Sequence, residues 1–451
     1  MGEVDRSRLD SLIQRERARF EELHPTSKAL AERAKQSLLY GVPMNWMTRW
    51  PGAFPIFVRQ ATGAHFFDVD RLGYVDLCLG DTGAMAGHSP PPAVERIIDR
   101  IPEGLTFMLP TEDALWVGEE LQRRFGLPMW QFCLTATDAN RFVLRLARQI
   151  TGRPKVVVHN WSYHGTVDET LATLDPKGRV VPRQGNIGPQ VDPALTTKVV
   201  EFNDVEGLEK ALAPGDVACV LVEPALTNVG IVLPEPGYHE RLRELTAKSG
   251  TLLVLDETHT ICSGTGGYTK AYGLQPDFLT IGKPLASGLP AAAYGMTTEV
   301  AERIVAATAW HEIDVGGIGG TLAANALSLA AMRATLEHVL TDAAFERMIG
   351  LGVRFTEGVE KVIADFQLPW HVTRLGCRAE YLFQPNPPRT GAEAAAQADH
   401  QLDAFLHLYC LNRGILLTPF HNMALMSPAT SEADVDLHTQ VFGEAAAELV
   451  G

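Results

Sequence analysis

The sequence is short of cysteine and has no paired thiols. Its six cysteines (Cys78, Cys133, Cys219, Cys262, Cys377, Cys410) lie far apart, with no C-x-x-C pair and no His/Cys ligand spacing. That spacing offers neither a disulfide framework nor a metal site, and it reads as buried thiols in a reducing compartment. Long hydrophobic runs are missing too. No window approaches a membrane span, and Met1 to Arg19 is interrupted by Asp, Glu and Arg where a secretory signal needs an apolar core. A cytoplasmic protein is expected. Positive charge is scarce: 39 Lys and Arg against 54 Asp and Glu leave a formal net charge of -15, the wrong sign for a chain that binds by neutralising phosphates. Neither nucleic acid nor a membrane is expected as a partner, and a small molecule fits better. Internal repeats and low-complexity segments are also missing.

What remains is an ordinary globular composition, 46% hydrophobic and 21% charged over 451 residues, enough for a large core in one to three domains. Residues Arg6 to about Ser37 carry apolar positions at helical spacing among many charges, which predicts one or two exposed amphipathic helices. Phe54 to Leu79 alternates apolar and polar residues around Gly63 and Gly73, as in a small antiparallel sheet. From about Thr111 to Ala330 helical segments alternate with the apolar runs "KVVVH", "VACVLVEP", "TLLVLDE" and "DFLTIGK". Uninterrupted Val/Leu strands that end in polar residues indicate a parallel sheet covered on both faces, with functional side chains at its carboxyl edge. Glu223, Asp256 and Lys283 each stand at such an end. An α+β region follows Met332.

The strongest local signal is "TLLVLDETHT" followed by "PDFLTIGKPLASGLP". One strand delivers Asp256 into a pocket and the next delivers Lys283 beside it. A lysine that must condense with a carbonyl needs to be held at a strand end and partly desolvated, while a buried aspartate keeps a pyridine nitrogen protonated. Taken singly, each residue is explained as well by a helix cap or a surface lysine. In "CLTATDANRF", Thr135, Ala136 and Thr137 precede an amphipathic helix, which suits either an anion site or a plain N-cap. Tyr163, in "HNWSYHGTVDE", reads as a stacking partner for a flat heterocycle or as an aromatic closing the sheet edge. The glycine-rich "DVGGIGGTLAAN" carries Thr321 before a helix and fits a second phosphate contact or a flexible loop.

With these motifs in order, the chain resembles the class III aminotransferases of the fold-type-I pyridoxal-phosphate enzymes from about Asn45 to Ser427. The anchors are "YHG" at Tyr163, "VEP" at Val222, "LDE" at Leu255, "IGKPLASGLP" around Lys283, and "GGT" with Asn325. The resemblance implies a large domain with a mostly parallel, seven-stranded-type sheet and a smaller α+β domain built from both terminal segments. The boundaries expected are 1–80, 81–330 and 331–451. It implies Lys283 as the Schiff-base lysine of pyridoxal 5'-phosphate and Asp256 as the partner of the ring nitrogen. Tyr163 and Thr258 would cover the two ring faces, with Glu223 beside them. Thr135, Ala136 and Thr137 stand where the family has a Ser-Gly-Thr phosphate cup. Asn228 would lie near the phenolic oxygen. Thr321 would reach the phosphate of the neighbouring subunit in a homodimer that shares its active sites.

Within the family the nearest likenesses are the β-phenylalanine (β-amino acid) aminotransferases and the glutamate-1-semialdehyde 2,1-aminomutases. The wording "LTATDANR", "DETHTIC", "GDTGAMAGH" and "TPFHNMALMSP" resembles the former. The aminomutases commonly carry a glutamate where this chain has "FHNMA". The leading expectation is therefore transfer of the amino group of an aromatic β-amino acid to a 2-oxo acid such as 2-oxoglutarate or pyruvate, with the aminomutase as the alternative. Both groups hold the substrate carboxylate with an N-terminal arginine, which Arg49 matches, and Trp46, Met47 and Trp50 would supply apolar walls. Arg413, then Arg389, would take the acceptor's carboxylate. No metal is expected.

Overall fold

A computed structural model describes Val4, residues 6–308, Glu312 and residues 315–450. Two units divide the chain. The larger comprises Pro91–Phe345 and Pro388–Ala396. Its centre is a seven-stranded sheet of β1 (Met129–Cys133), β2 (Lys155–His159), β3 (Thr197–Val200), β4 (Val217–Val222), β5 (Leu252–Asp256), β6 (Phe278–Ile281) and β7 (Ala292–Met296), in the order β1-β7-β6-β5-β4-β2-β3. Every neighbouring pair from β6 to β3 is parallel, and only β7 runs antiparallel to its neighbours β6 and β1. The expected mostly parallel sheet is thus present.

The reason those strands read as unbroken apolar text is that each side of the pleat meets a helix layer. Val156, Val158, Leu221 and Val254 pack on one face with Ala139, Val143 and Ala147 of helix α1 (Ala136–Thr151). Val157, Val220, Val222, Leu253 and Leu255 pack on the other with Leu208, Leu212, Leu242 and Leu245. Each such side chain, fully buried, contributes about 1.5–3 kcal/mol, so the sheet has no face left for solvent. Polar chemistry is pushed to the strand ends.

The smaller unit comprises Met1–Pro90, Glu346–Pro387 and Gln397–Gly451. Strands Val58–Thr62, His65–Asp68 and Gly73–Asp76 pair antiparallel, as the alternating text predicts, and Ile415–Leu416 adds in parallel to the last of them. Gly63 turns the first hairpin at φ +63, a left-handed value that glycine adopts without penalty. A second antiparallel sheet joins His371–Leu375, Arg378–Leu382 and Met423–Leu425. The amphipathic lead-in forms two helices, Arg6–Leu23 and Pro25–Ala34, the first burying Leu9, Leu12, Ile13 and Phe20. All six cysteines are buried, and burial pushes the Cys78, Cys133, Cys219 and Cys410 thiols up to about 12. No helix among the described residues is long and apolar enough to cross a membrane.

Asp403, on the helix His400–Leu411, gives a test of this unit's stability. Burial pushes its carboxyl up to about 6, although Asn422 donates to it at 2.8 Å. The folded value lies above the unfolded one, so its contribution is fully present below about pH 4 and is lost as pH rises through 6. Asp403→Asn keeps an acceptor for Asn422 and removes the charge. It should stabilise the fold by roughly 1–2 kcal/mol at pH 8 and by nearly nothing at pH 4, read as denaturant midpoints at the two pH values.

Candidate active site

Three neighbouring strands of the larger unit end in the three polar residues singled out from sequence. Leu255 of β5 pairs with Val222 of β4, and Asp256 pairs with Thr280 of β6. Glu223, Asp256 and Lys283 therefore leave adjacent strands at one edge of the sheet. Asp256 is buried at 3% exposure, and three partners hold its two oxygens. Its Oδ2 accepts from Asn140 Nδ2 at 2.8 Å and lies 3.0 Å from His164 Nδ1, while its Oδ1 accepts from the Thr258 amide at 3.1 Å. Burial alone would push this carboxyl up; the bonds from His164, Thr258 and Asn140 outweigh it and hold it below the usual carboxylate range.

Glu223 behaves oppositely. Burial pushes it above the usual range, although Thr227 donates to Oε2 at 2.5 Å and the Tyr163 amide to Oε1 at 3.2 Å. Two buried carboxyls on neighbouring strands are thereby driven apart, one held below its usual range and the other above it.

The same edge is built by close approaches. Thr135 caps α1, its Oγ1 accepting from the Asp138 amide at 3.2 Å. Thr137 Oγ1 accepts from the Thr166 amide at 3.1 Å, which ties the "YHG" loop to the helix start. Gly165 sits at φ +79, and a Cβ there would meet Thr137 Oγ1 at 2.1 Å. Gly282 also comes close to the helix start: its Cβ would meet the Ala136 Cβ at 3.0 Å, so only a small residue at 136 lets the lysine loop settle on the helix. Lys283 itself is left-handed at φ +47, an uncommon conformation for a side-chain-bearing residue and one that the surrounding packing must enforce. Its Nζ lies 2.7 Å from His259 Nε2.

The remaining sequence candidates are scattered differently. Thr258 is buried beside Asp256, its hydroxyl meeting no hydrogen-bonding partner among the described residues. Asn228 is half-buried in a loop closed by the Leu226–Val232 bridge after Glu223. Thr321 is exposed in the loop that leads to the Asn325 cap. In the smaller unit, Trp46 and Arg49 belong to one short helix, Asn45–Arg49, and both meet Phe420: the indole edge-on at 6.1 Å, the guanidinium 5.4 Å over the ring.

Two expectations need correction. Arg413 donates to Glu16 at 3.0 and 3.3 Å and lies over the Tyr409 ring, so its fork is already engaged by a buried carboxylate, which Arg15 shares. Arg389 is exposed and pairs with Glu235 at 2.5 Å. Neither offers an unused fork to an acceptor carboxylate.

Three residues were not assigned a role from sequence: Asn140, His164 and His259. Asn140 is fully buried, and it bridges Asp256, the His164 carbonyl at 3.1 Å and the Thr280 hydroxyl at 2.6 Å. The available signal was an amide on the apolar stripe of α1 in register with Val143 and Ala147. His164 lay unremarked inside the "YHG" motif.

The contact between the loop and the helix start is testable through stability. Gly165→Ala should cost about 2–4 kcal/mol, from a forced left-handed alanine and a clash with Thr137. Adding Thr137→Ala should recover only part of the loss in thermal melts, because the Thr137 Cα would still stand at 2.9 Å from the new Cβ.

Comparison with known proteins places this arrangement. The family model for class III aminotransferases matches residues 46–439. A glutamate-1-semialdehyde 2,1-aminomutase of Thermus thermophilus is 31% identical over 429 residues, covering 93% of this chain and 98% of that protein. The crystal structure of a glutamate-1-semialdehyde aminomutase from Pseudomonas aeruginosa PAO1, in complex with PMP, is 50% identical with a TM-score of 0.97, each chain covered completely. A β-phenylalanine aminotransferase of Variovorax paradoxus shares the fold at 24% identity, with a TM-score of 0.85 and 97% of each chain covered. The chain belongs to the class III aminotransferase family, the fold-type-I enzymes that work with pyridoxal phosphate.

Proposed function

We propose that this enzyme moves an amino group between neighbouring carbons of one substrate, as a 2,1-aminomutase acting on glutamate-1-semialdehyde or a close relative. The likeness that carries the reading is the run of aminomutases at 31–33% identity over about nine-tenths of the chain. The arginines agree with it. Isomerisation needs one carboxylate ligand, and of Arg49, Arg389 and Arg413 only Arg49 meets no carboxylate of the chain among the described residues.

The residues at the sheet edge fit the cofactor. Asp256 Oδ1 takes a single amide and keeps capacity for a ring N–H, and the buried Thr258 hydroxyl has no partner among the described residues. When bound, pyridoxal phosphate supplies a carbonyl carbon that captures amines and a ring that accepts an electron pair. Asp256, kept anionic, would hold the ring nitrogen protonated. Lys283 Nζ would be the attachment point, and once released it would take the proton from the amine-bearing carbon and return it to another. Tyr163 and Thr258 would bracket the ring, with Glu223 and Asn228 toward its oxygen edge and Thr135, Ala136 and Thr137 toward the phosphate. Thr321 would complete that phosphate site from the partner subunit of a cytoplasmic homodimer. Arg49 would pair with the substrate carboxylate.

A second reading, transfer from an aromatic β-amino acid to a 2-oxo acid, is favoured by one observation: Trp46 and Phe420 form an aromatic wall beside Arg49, and Phe420 lies where the aminomutases' loop diverges from "FHNMA". The holoenzyme given glutamate-1-semialdehyde with no 2-oxo acid should turn over continuously. Product limited to one equivalent per site, with sustained turnover only on β-phenylalanine plus 2-oxoglutarate or pyruvate, would overturn the aminomutase reading in favour of the transferase.

Under either reading Lys283→Ala should leave a folded protein that binds cofactor and has no measurable turnover. Arg49→Ala should lower kcat/KM by about a hundredfold for the carboxylate-bearing substrate, and by much less for an amine that lacks the carboxylate. Equal losses on both compounds would make Arg49 structural.

A further inference from the structure

We infer that His259 is the positioning residue and proton partner of Lys283. The inference rests on Lys283 being the attachment lysine. His259 Nε2 stands 2.7 Å from Lys283 Nζ, a normal hydrogen-bond length, and both side chains are half-buried at the edge of the sheet. The position follows directly from the chain. His259 is the third residue after Asp256, between the end of β5 and the short turn Thr260–Ser263, and Lys283 starts the turn Lys283–Ala286 after β6. Two adjacent parallel strands therefore present the imidazole and the amine side by side.

A protonated lysine does not attack a carbonyl, because its nitrogen has no free electron pair, so the ammonium must first lose a proton. An imidazole at 2.7 Å provides a local exit for that proton. In the step proposed, an Nζ–H bond breaks, its electron pair stays on Nζ, and the proton bonds to Nε2 of a neutral His259 that carries its own hydrogen on Nδ1. The imidazolium then passes a proton to water. Reversal of the step restores the ammonium.

The other charged groups on this wall are committed elsewhere. Asp256 is bonded to Asn140 and His164. Glu257 accepts from the Thr260 and Thr269 hydroxyls and from the Tyr268 and Thr269 amides. On the helix Gly267–Ala271 that packs against the turn, Lys270 is exposed, and on the helix Ala326–Ala334 behind Lys283, Arg333 pairs with Asp113.

The test uses the full-length protein freed of cofactor, with pyridoxal phosphate added and the rise of the lysine adduct's absorbance timed from pH 7 to pH 10. His259→Gln, a neutral residue of similar size, should slow the adduct about tenfold at pH 7 and by progressively less toward pH 10, because hydroxide can then take the proton that the imidazole no longer accepts. In His259→Gly, added imidazole should restore the rate in a saturable way, which a purely structural loss would not allow. Wild-type rates with unchanged pH dependence in His259→Gln, or no effect of imidazole on a slowed and folded His259→Gly, would overturn the role. Borohydride fixation and peptide mapping separate the two levels: cofactor on a lysine other than Lys283 would remove the attachment assignment itself, whereas cofactor on Lys283 with unaltered kinetics removes His259 alone.

Discussion

A carboxylate kept charged inside an apolar sheet is the constraint on which the rest of the site depends. Asp256 closes a strand whose five residues are all buried, where an unpaired anion would be expelled or protonated. Hydrogen bonds to a charged group are worth about 1.5–3 kcal/mol each, so the bonds from His164, Asn140 and the Thr258 amide are comparable in size with the burial penalty that they offset. Those partners come from three separate places: the loop after β2, helix α1, and the turn that follows β5. The carboxylate thus draws the helix, the loop and the strand into one geometry, and a cofactor ring would meet an anion already oriented before it arrives.

The same convergence explains the small residues around it. Gly165 and Gly282 bring two loops onto the first turn of α1, one against Thr137 and the other against Ala136. The family's glycine at position 136 is absent here, and alanine is tolerated because the void that it fills is bounded by a glycine on the opposite side. Lys283 pays for this closeness with a left-handed backbone, held between Gly282 and Pro284. Strain of this kind, on the order of 1 kcal/mol or more, persists only where neighbouring packing fixes it, and it removes freedom from the side chain that must act.

How much of this was legible in the sequence varied with the physics that placed each residue. Lys283, Asp256 and Glu223 were visible because a buried parallel sheet leaves polar residues only at its ends, a rule that acts along the chain. The hairpins from Val58 to Asp76 were visible through their period of two. Asn140 and His164 were not, because their importance lies in touching Asp256, 116 and 92 residues away, and no local pattern encodes that distance. The distal arginines were misjudged for the same reason: Glu16, which neutralises Arg413, lies 397 residues from it.

The division of labour between the two units bears on which reaction the enzyme performs. Every group proposed to hold or move a proton, namely Asp256, Lys283 and His259, belongs to the larger unit, and the chemistry proposed for them is common to amino transfer within one molecule or between two. The choice between these rests on how many carboxylates can be held. A guanidinium already paired with a glutamate gains little from a second anion, since the first has taken its charge and half its donors. Glu16 and Glu235 impose that condition on Arg413 and Arg389. Arg49 faces an aromatic ring instead, an interaction worth about 0.5–1 kcal/mol at an exposed site, which a carboxylate can readily displace or share. Under the proposed reading Arg49 would hold the one carboxylate of a substrate that carries its own acceptor carbon, whereas under the second reading two substrates would have to use it in turn.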